Sequence, residues 1–308
     1  MRPDDWEITA GVQRELLPAV SATATYIRRW YGNFVAGVST VNSGGATVVL
    51  PKNLAVTQAD YNQYCITAPT NAQLGSVSGT QICGLYDLTP AAFIRTPQNV
   101  LTAASNYGTQ TETFNGVDVS LNVRLPHRGQ LFGGVSSGTS SNTGNALVNS
   151  TEQCFIVNSP QELRYCSLPY PWLTQVKLLG TVGLPWDLDL GVTFQSNPGP
   201  EIDANYTVAS SQVQFLTPGR STLSAGTATI PLIQPGTVFG DRIYQLDLRA
   251  SKTIKTGRGL RIRAILDMAN LLNASTVLLQ NNTYGNNWLR PAYIMPGRLF
   301  KPTVEVTF

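Results

Sequence analysis

Arg298-Leu299-Phe300-Lys301-Pro302-Thr303-Val304-Glu305-Val306-Thr307-Phe308 decides how the rest of the chain is read. Phe300, Val304, Val306 and Phe308 share one face of a strand, with Pro302 among them, while Lys301, Thr303, Glu305 and Thr307 share the other. One apolar and one polar face is ordinary in a half-buried sheet. An apolar aromatic as the last residue is not, because chain ends in water are usually frayed and polar. The stretch therefore raises the question of which solvent its apolar face meets.

The same period recurs along the chain. Trp6, Ile8, Ala10 and Val12 alternate with Glu7, Thr9, Gly11 and Gln13. After the turn Leu17-Pro18-Ala19 come Val20, Ala22, Ala24 and Tyr26, with the strand running to Trp30-Tyr31. Val117, Val119, Leu121, Val123 and Leu125 lead into a turn at Pro126-His127-Arg128-Gly129, then Leu131, Gly133 and Val135. Val176 to Leu184, Leu188 to Phe194, Tyr244 to Ala250 and Leu260 to Met268 repeat the pattern, joined by tight turns at Pro185-Trp186-Asp187 and Lys255-Thr256-Gly257-Arg258-Gly259. The reading predicts about nine strands. Their connections alternate: tight turns on one side, and long irregular stretches near residues 34–110, 136–170, 197–242 and 270–296 on the other.

Soluble sandwiches do not usually sort their loops in this way, whereas outer-membrane barrels do, with short periplasmic turns and long extracellular loops. The expected fold is thus all-β, a partial antiparallel transmembrane β-barrel of about nine strands. The 13% share of charged residues is about half that of a typical soluble domain. No run approaches the roughly 18 apolar residues of a spanning helix. The net charge of +3 is too small to argue for nucleic acid as a partner. Asp247, Arg249, Arg261, Arg263 and Asp267 fall on the polar face and are expected to line a watery lumen, since Arg or Lys in mid-bilayer costs about 2–4 kcal/mol. Trp6, Tyr26, Trp30 and Tyr244, and also Tyr31, Trp186 and Trp288, lie near strand ends, where interfacial aromatics belong.

Little in the chain suggests catalysis. The single histidine, His127, sits in a turn, and no nucleophile elbow or phosphate loop is present, so neither enzymatic activity nor a cofactor or metal is expected. Cys65/Cys83 and Cys154/Cys166 form two local pairs in loop-like sequence, which suggests disulfides in an oxidising compartment; free thiols stay open as the alternative. Thr89-Pro90 has the form of a helix start inside the first long loop, with Thr at the N-cap and Pro at the first helical position.

From Asp247 onward the residues carry a resemblance. Asp247-Leu248-Arg249-Ala250-Ser251-Lys252, Asp267-Met268-Ala269-Asn270-Leu271-Leu272-Asn273, Gln280-Asn281-Asn282-Thr283-Tyr284-Gly285, Trp288-Leu289-Arg290-Pro291 and Pro296-Gly297-Arg298-Leu299-Phe300-Lys301 occur in an order that resembles the end of TonB-dependent receptors. The nearest likeness is to the large Oar-like receptors with a carboxypeptidase-regulatory-like domain. Arg28-Arg29-Trp30-Tyr31-Gly32-Asn33-Phe34 and Pro235-Gly236-Thr237 extend the likeness over nearly the whole chain.

The resemblance implies localisation to the outer membrane of a Gram-negative bacterium. It also implies a larger barrel energised through TonB, uptake of an unnamed bulky solute, and contact with outer-membrane lipid and the barrel-assembly machinery. Lys301, Val306 and Phe308 fit the terminal assembly signal of such barrels, although Thr303 stands where Gly is usual. Met1 to Glu7 lacks the apolar segment of a signal peptide, and an odd strand count leaves the first strand starting on the outer side. The expectation is that residues 1–308 are the C-terminal portion of a receptor barrel without its plug, so that TonB would act only through segments outside this chain. A stand-alone small barrel with a structural or adhesive role and a soluble β-rich surface-binding protein remain as alternatives.

Overall fold

The computed structural model describes residues 2–41, 58–94, 97–106, 110–144, 164–165, 167–256 and 259–308. Nine strands form one sequential antiparallel path. They are β1 (Asp4–Leu17), β2 (Val20–Gly32), β3 (Gln110–Leu125), β4 (Gly129–Gly144), β5 (Leu173–Leu184), β6 (Leu188–Asn197), β7 (Ile243–Lys255), β8 (Arg261–Ala269) and β9 (Leu299–Thr307). A short strand, Ser167–Pro169, adds to the upper end of β4. Among the described residues the sheet is open, with β1 and β9 as its edges. Both edge strands run from the long-loop rim toward the short-turn rim.

Cross-strand register confirms the two faces, because directly paired residues share a face. One row reads Ala24, Val119, Val135, Val176, Ser196 and Tyr244; another reads Gly180, Val192, Leu248, Met268 and Phe300. The row adjacent to the first holds Thr25, Asp118 and Ser136 on the opposite face. Large apolar side chains of the first face lie open over most of its extent, including Ile8, Val12, Val119, Val135, Val304 and Val306. Among the described residues no other element packs over these side chains.

The short turns are built tightly. Gly129 N–H bonds the Pro126 carbonyl at 3.0 Å, with His127 (φ 55°) and Arg128 (φ 60°) both left-handed between them. Trp186 (φ 65°) and Asp187 (φ 56°) repeat this arrangement. Two successive left-handed residues make the turn whose twist suits a hairpin.

Two expectations need correction. The stretch from Ser136 is not a loop: β4 continues through Ser137, Thr139 and Ser141 to Gly144, paired with a β3 that starts at Gln110. Hydroxyl-bearing residues extend the ladder there without apolar alternation, and Ser137 and Thr174 share a hydroxyl–hydroxyl bond of 2.7 Å. Nor are the long connections structureless. Tyr61–Thr67 pairs with Gln81–Leu88 and with Val213–Phe215, Asn205–Ala209 with Thr227–Pro231, Val277–Gln280 with Pro291–Ile294, and Val35–Val41 with Pro97–Ala103. The helix expected at Thr89 is present over Pro90–Phe93, and the Thr89 hydroxyl accepts from Ala92 N–H at 3.2 Å.

These connections carry the hydrophobic core. Tyr64, Ile66, Leu74, Ile82, Leu85, Val208, Leu223, Ile230 and Leu232 are buried together, and every member of the cluster belongs to the 33–109 or 198–242 connection. Tyr284 and Trp288 of the 270–298 connection pack against it. An apolar cluster of this kind needs water around it to drive its burial. The molecule therefore has a wall with an outward apolar face and, at one rim, a folded cap with an inward apolar core.

Candidate functional site

Residues of the polar face line three hollows. One lies over β1–β3 beside Gln13, Glu15 and Ser21; one over β3–β6; and one over β5–β8 beside Thr181, Arg249 and Asp267. The sheet thus curls around its polar face. The middle hollow, about 590 Å³, contains an unexpected apolar pair: Phe132 and Leu179 face each other across β4 and β5, flanked by Asp118, Lys177 and Gln195. Neither residue obeys the alternation of its strand, which is why periodicity alone missed them.

The predicted charges of this face gather on β7–β9. Arg249 and Asp267 are direct cross-strand partners joined by two bonds, Nε–Oδ1 at 2.5 Å and Nη2–Oδ2 at 3.0 Å. Lys301 stands opposite Asp267 on β9. Asp247 accepts from the Gln245 amide at 2.9 Å and from Asn270 N–H at 2.8 Å, which ties the top of β7 to the start of the 270–298 connection. Arg263 bonds the Ser251 hydroxyl at 3.1 Å and lies 3.9 Å from Glu305. Arg261 pairs in register with Lys255 and Thr307, and makes no ion pair among the described residues. On the far flank, Arg29 is held by Glu7 and, at 3.6 Å, by Asp5.

Of the aromatics, Trp6 and Trp30 are opposite each other on the apolar face, and Tyr26 lies two rows further down that face, between Ala10 and Val117. Tyr244 stacks on Phe194 with centroids 6.4 Å apart. All four sit toward the long-loop rim. Tyr31 does not join them: it faces Asp5 and Glu112 on the polar side. Trp288 is a cap residue whose indole N–H donates to the Asp203 carbonyl at 2.8 Å. Trp186 stands exposed in the turn at the opposite rim. Val306 pairs with Ile262, and Phe308 extends past the end of β9 almost fully exposed.

Among the described residues the cap is knit across the 33–109, 198–242 and 270–298 connections, and Arg164 and the Tyr165 hydroxyl donate to the Pro231 and Leu232 carbonyls. Cys65 and Cys83 form a disulfide between adjacent strands, as expected; Cys154 and Cys166 lie outside the described residues. Arg220 and Asp87 pair in a buried setting. Asn205 N–H bonds the Asn282 carbonyl, and Tyr284 N–H returns the bond to the Asn205 carbonyl, each at 2.9 Å. Beside them, Tyr206, Tyr284 and Trp288 form a chain of ring contacts with centroids 5.5 and 5.1 Å apart. Asp203 Oδ1 and Asn282 Oδ1 are buried there without a hydrogen-bond partner, although Asn282 Nδ2 donates to Asp203 Oδ2 at 3.1 Å. These acceptors are closed off from solvent, so the cluster is part of the packing that joins the 198–242 and 270–298 connections.

Burial pushes the Tyr61 hydroxyl up to about 12, with Asp60 and Asp87 adding to the effect. Burial also raises Tyr170, helped by Glu201, Asp203 and Glu112. At the opposite rim, the Lys255 ammonium donates to Asp187 and holds that carboxyl below its usual range. Among the described residues no group of three His, Cys, Asp or Glu side chains is placed to hold a metal. The signal for the cap core was present but short: Tyr64/Ile66, Ala204/Tyr206/Val208 and Ala228/Ile230/Leu232 each alternate over two or three positions only.

No family model matches the chain, and no curated protein matches it. Among solved structures it is similar to the outer membrane transporter YddB from Escherichia coli, with a TM-score of 0.47 and 12% identity, over 98% of this chain and 32% of that one. The chain thus spans about a third of the length of that transporter chain.

Proposed function

We propose that the chain forms part of the wall and the surface cap of an outer-membrane receptor barrel that binds a solute for TonB-dependent uptake. The observation that carries this reading is the pairing of opposite solvent rules in one molecule. The wall leaves apolar side chains open on its outer face and curls around its polar face, while every long connection leaves the same rim and three of them condense into a cap with a water-driven core. A soluble β-rich protein would have to leave the apolar face of nine strands bare in water.

The open edges support a wall larger than nine strands. Unpaired backbone groups cannot stay open to lipid, so both edges need partners. Because β1 and β9 run in the same direction, antiparallel closure requires an odd number of further strands, and a second copy in the same orientation would meet each edge in parallel. TonB would act through segments outside this chain.

The test is sidedness in intact cells. Thr222→Cys in the cap is expected to react with a membrane-impermeant maleimide, whereas Pro18→Cys in a short turn reacts only after the outer membrane is opened. Equal labelling of both before permeabilisation would sink the reading.

A further inference from the structure

Arg28 lies on the apolar face of β2, the face given to lipid in the reading above, on which this inference rests. Its cross-strand partners are Ile8 and Asn115. Its neighbour Arg29 is on the other face and takes Glu7 and Asp5, so the two adjacent arginines serve different sides of the wall. Among the described residues Arg28 makes no ion pair; its guanidinium carbon sits 5.1 Å from the centroid of the Trp30 ring. Trp30 is paired with Trp6, whose side chain is 74% exposed. Asn115 accepts the Tyr26 hydroxyl at 2.9 Å, which leaves its amide N–H groups to donate elsewhere. The carboxylate that β1 carries on this face, Asp4, is opposite Gly32, four residues and about 13 Å from the Arg28 row, and is held by Asn33.

An arginine on a lipid-facing strand reaches along its own stem toward the interface and needs an anion there. Among the described residues no carboxylate forms an ion pair with Arg28 on this face. The rim is the long-loop rim, hence the outer leaflet. The planar guanidinium, pre-oriented by stacking on Trp30, matches the fork geometry of a phosphate, and the Asn115 amide stands one strand away as a second donor. Below them, Ile8, Ala10, Tyr26 and Val117 give an acyl chain an apolar track. We infer that Arg28, Asn115 and the Trp6/Trp30 pair form a binding site for the phosphate of an anionic lipid head group in the outer leaflet.

The test reconstitutes the intact protein into phosphatidylcholine bilayers that contain a minor fraction of phosphatidylglycerol brominated in its acyl chains, and reads tryptophan quenching. The same fraction of brominated phosphatidylcholine is the reference. Wild type is expected to favour the anionic lipid about fivefold, the effect of one basic group at an anionic surface. Arg28→Gln should bring the two lipids to parity, and Arg28→Lys should keep part of the preference, with heat-modifiability on a gel showing that each variant has folded. Parity in wild type, or an undiminished preference in Arg28→Gln, overturns the site. Loss of the preference on adding inorganic phosphate at constant ionic strength assigns the site to a free anion and overturns the lipid assignment. Absence of quenching by either brominated lipid would instead overturn the membrane reading, and this inference with it.

Discussion

Arg220 and Asp87, 133 residues apart in sequence, form an ion pair that is buried on both sides, with side-chain exposures of 8% and 11%. The pair joins the 198–242 connection to the 33–109 connection. Ser224 completes it: its N–H donates to Asp87 Oδ2 at 2.8 Å, and its hydroxyl accepts from Arg220 at 2.7 Å. The Arg220 guanidinium also lies over the Phe215 ring, 5.1 Å from its centroid. Two loops that leave the wall separately are thereby held as one body.

Removing one partner of a buried pair strands the other charge, which typically costs about 3–5 kcal/mol. Arg220→Met is expected to loosen the cap by that order while the wall stays folded. Limited proteolysis should then cut within the 33–109 and 198–242 connections and spare the strands. The double variant Arg220→Met/Asp87→Leu should recover much of the loss.

The disulfide acts on the same body. Replacing Cys65 and Cys83 by Ala frees a loop of 18 residues' separation, for which chain-entropy arguments give about 3 kcal/mol. Hydrogen exchange should rise in Tyr61–Thr67 and Gln81–Leu88 and remain unchanged in β7–β9.

Adjacent residues of β6 test the assignment of faces. Val192→Arg places a charge on the apolar face and is expected to destabilise by about 2–4 kcal/mol in a bilayer, whereas Thr193→Arg, on the polar face, should cost little. Unfolding in urea from lipid vesicles measures both, and similar losses would contradict the register-based faces.

The left-handed turn at His127 and Arg128 is made by residues that pay for that backbone. Asn at 127 with Gly at 128 adopts it freely and should stabilise the hairpin by about 1 kcal/mol. The exposed Arg128–Asp189 contact of 3.6 Å lost in the change contributes little. The midpoint of urea unfolding is the readout.

Tyr61 makes cap stability depend on alkaline pH. Its usual value is 10.0 and its folded value about 12, so the unfolded chain loses the proton first. The stabilisation is complete below about pH 10 and is lost as pH rises through about 12. Tyr61→Phe should flatten that part of the decline, measured as the denaturation midpoint of the cap across this window.

Legibility followed the period of the side chains. Val117 to Leu125 and Leu260 to Met268 were readable because one face is apolar and the other polar, so every second residue is of one kind. Ser136 to Thr143 belong to β4 and were not readable, because hydroxyl side chains suit both faces above the wall. Phe132 and Leu179 broke the alternation on the polar side and acquired meaning only once β4 and β5 were paired. The Thr89 cap was legible, since an N-cap is a local bond. The place of Arg28 on the apolar face needed the register of β1, β2 and β3.

The order of residues alone specifies the wall: about nine alternating strands, tight turns on one side, long connections on the other, and the polar face that carries Arg249 and Asp267. Each of these rests on interactions between residues near in sequence or on a repeating choice of solvent. That the long connections fold into a cap, that Arg220 finds Asp87, and that the Tyr206, Tyr284 and Trp288 rings meet emerges only from the assembled fold. The reason is physical. A core assembled from two- and three-residue fragments of separate loops has no period of its own, and its members are selected by burial against partners more than a hundred residues away.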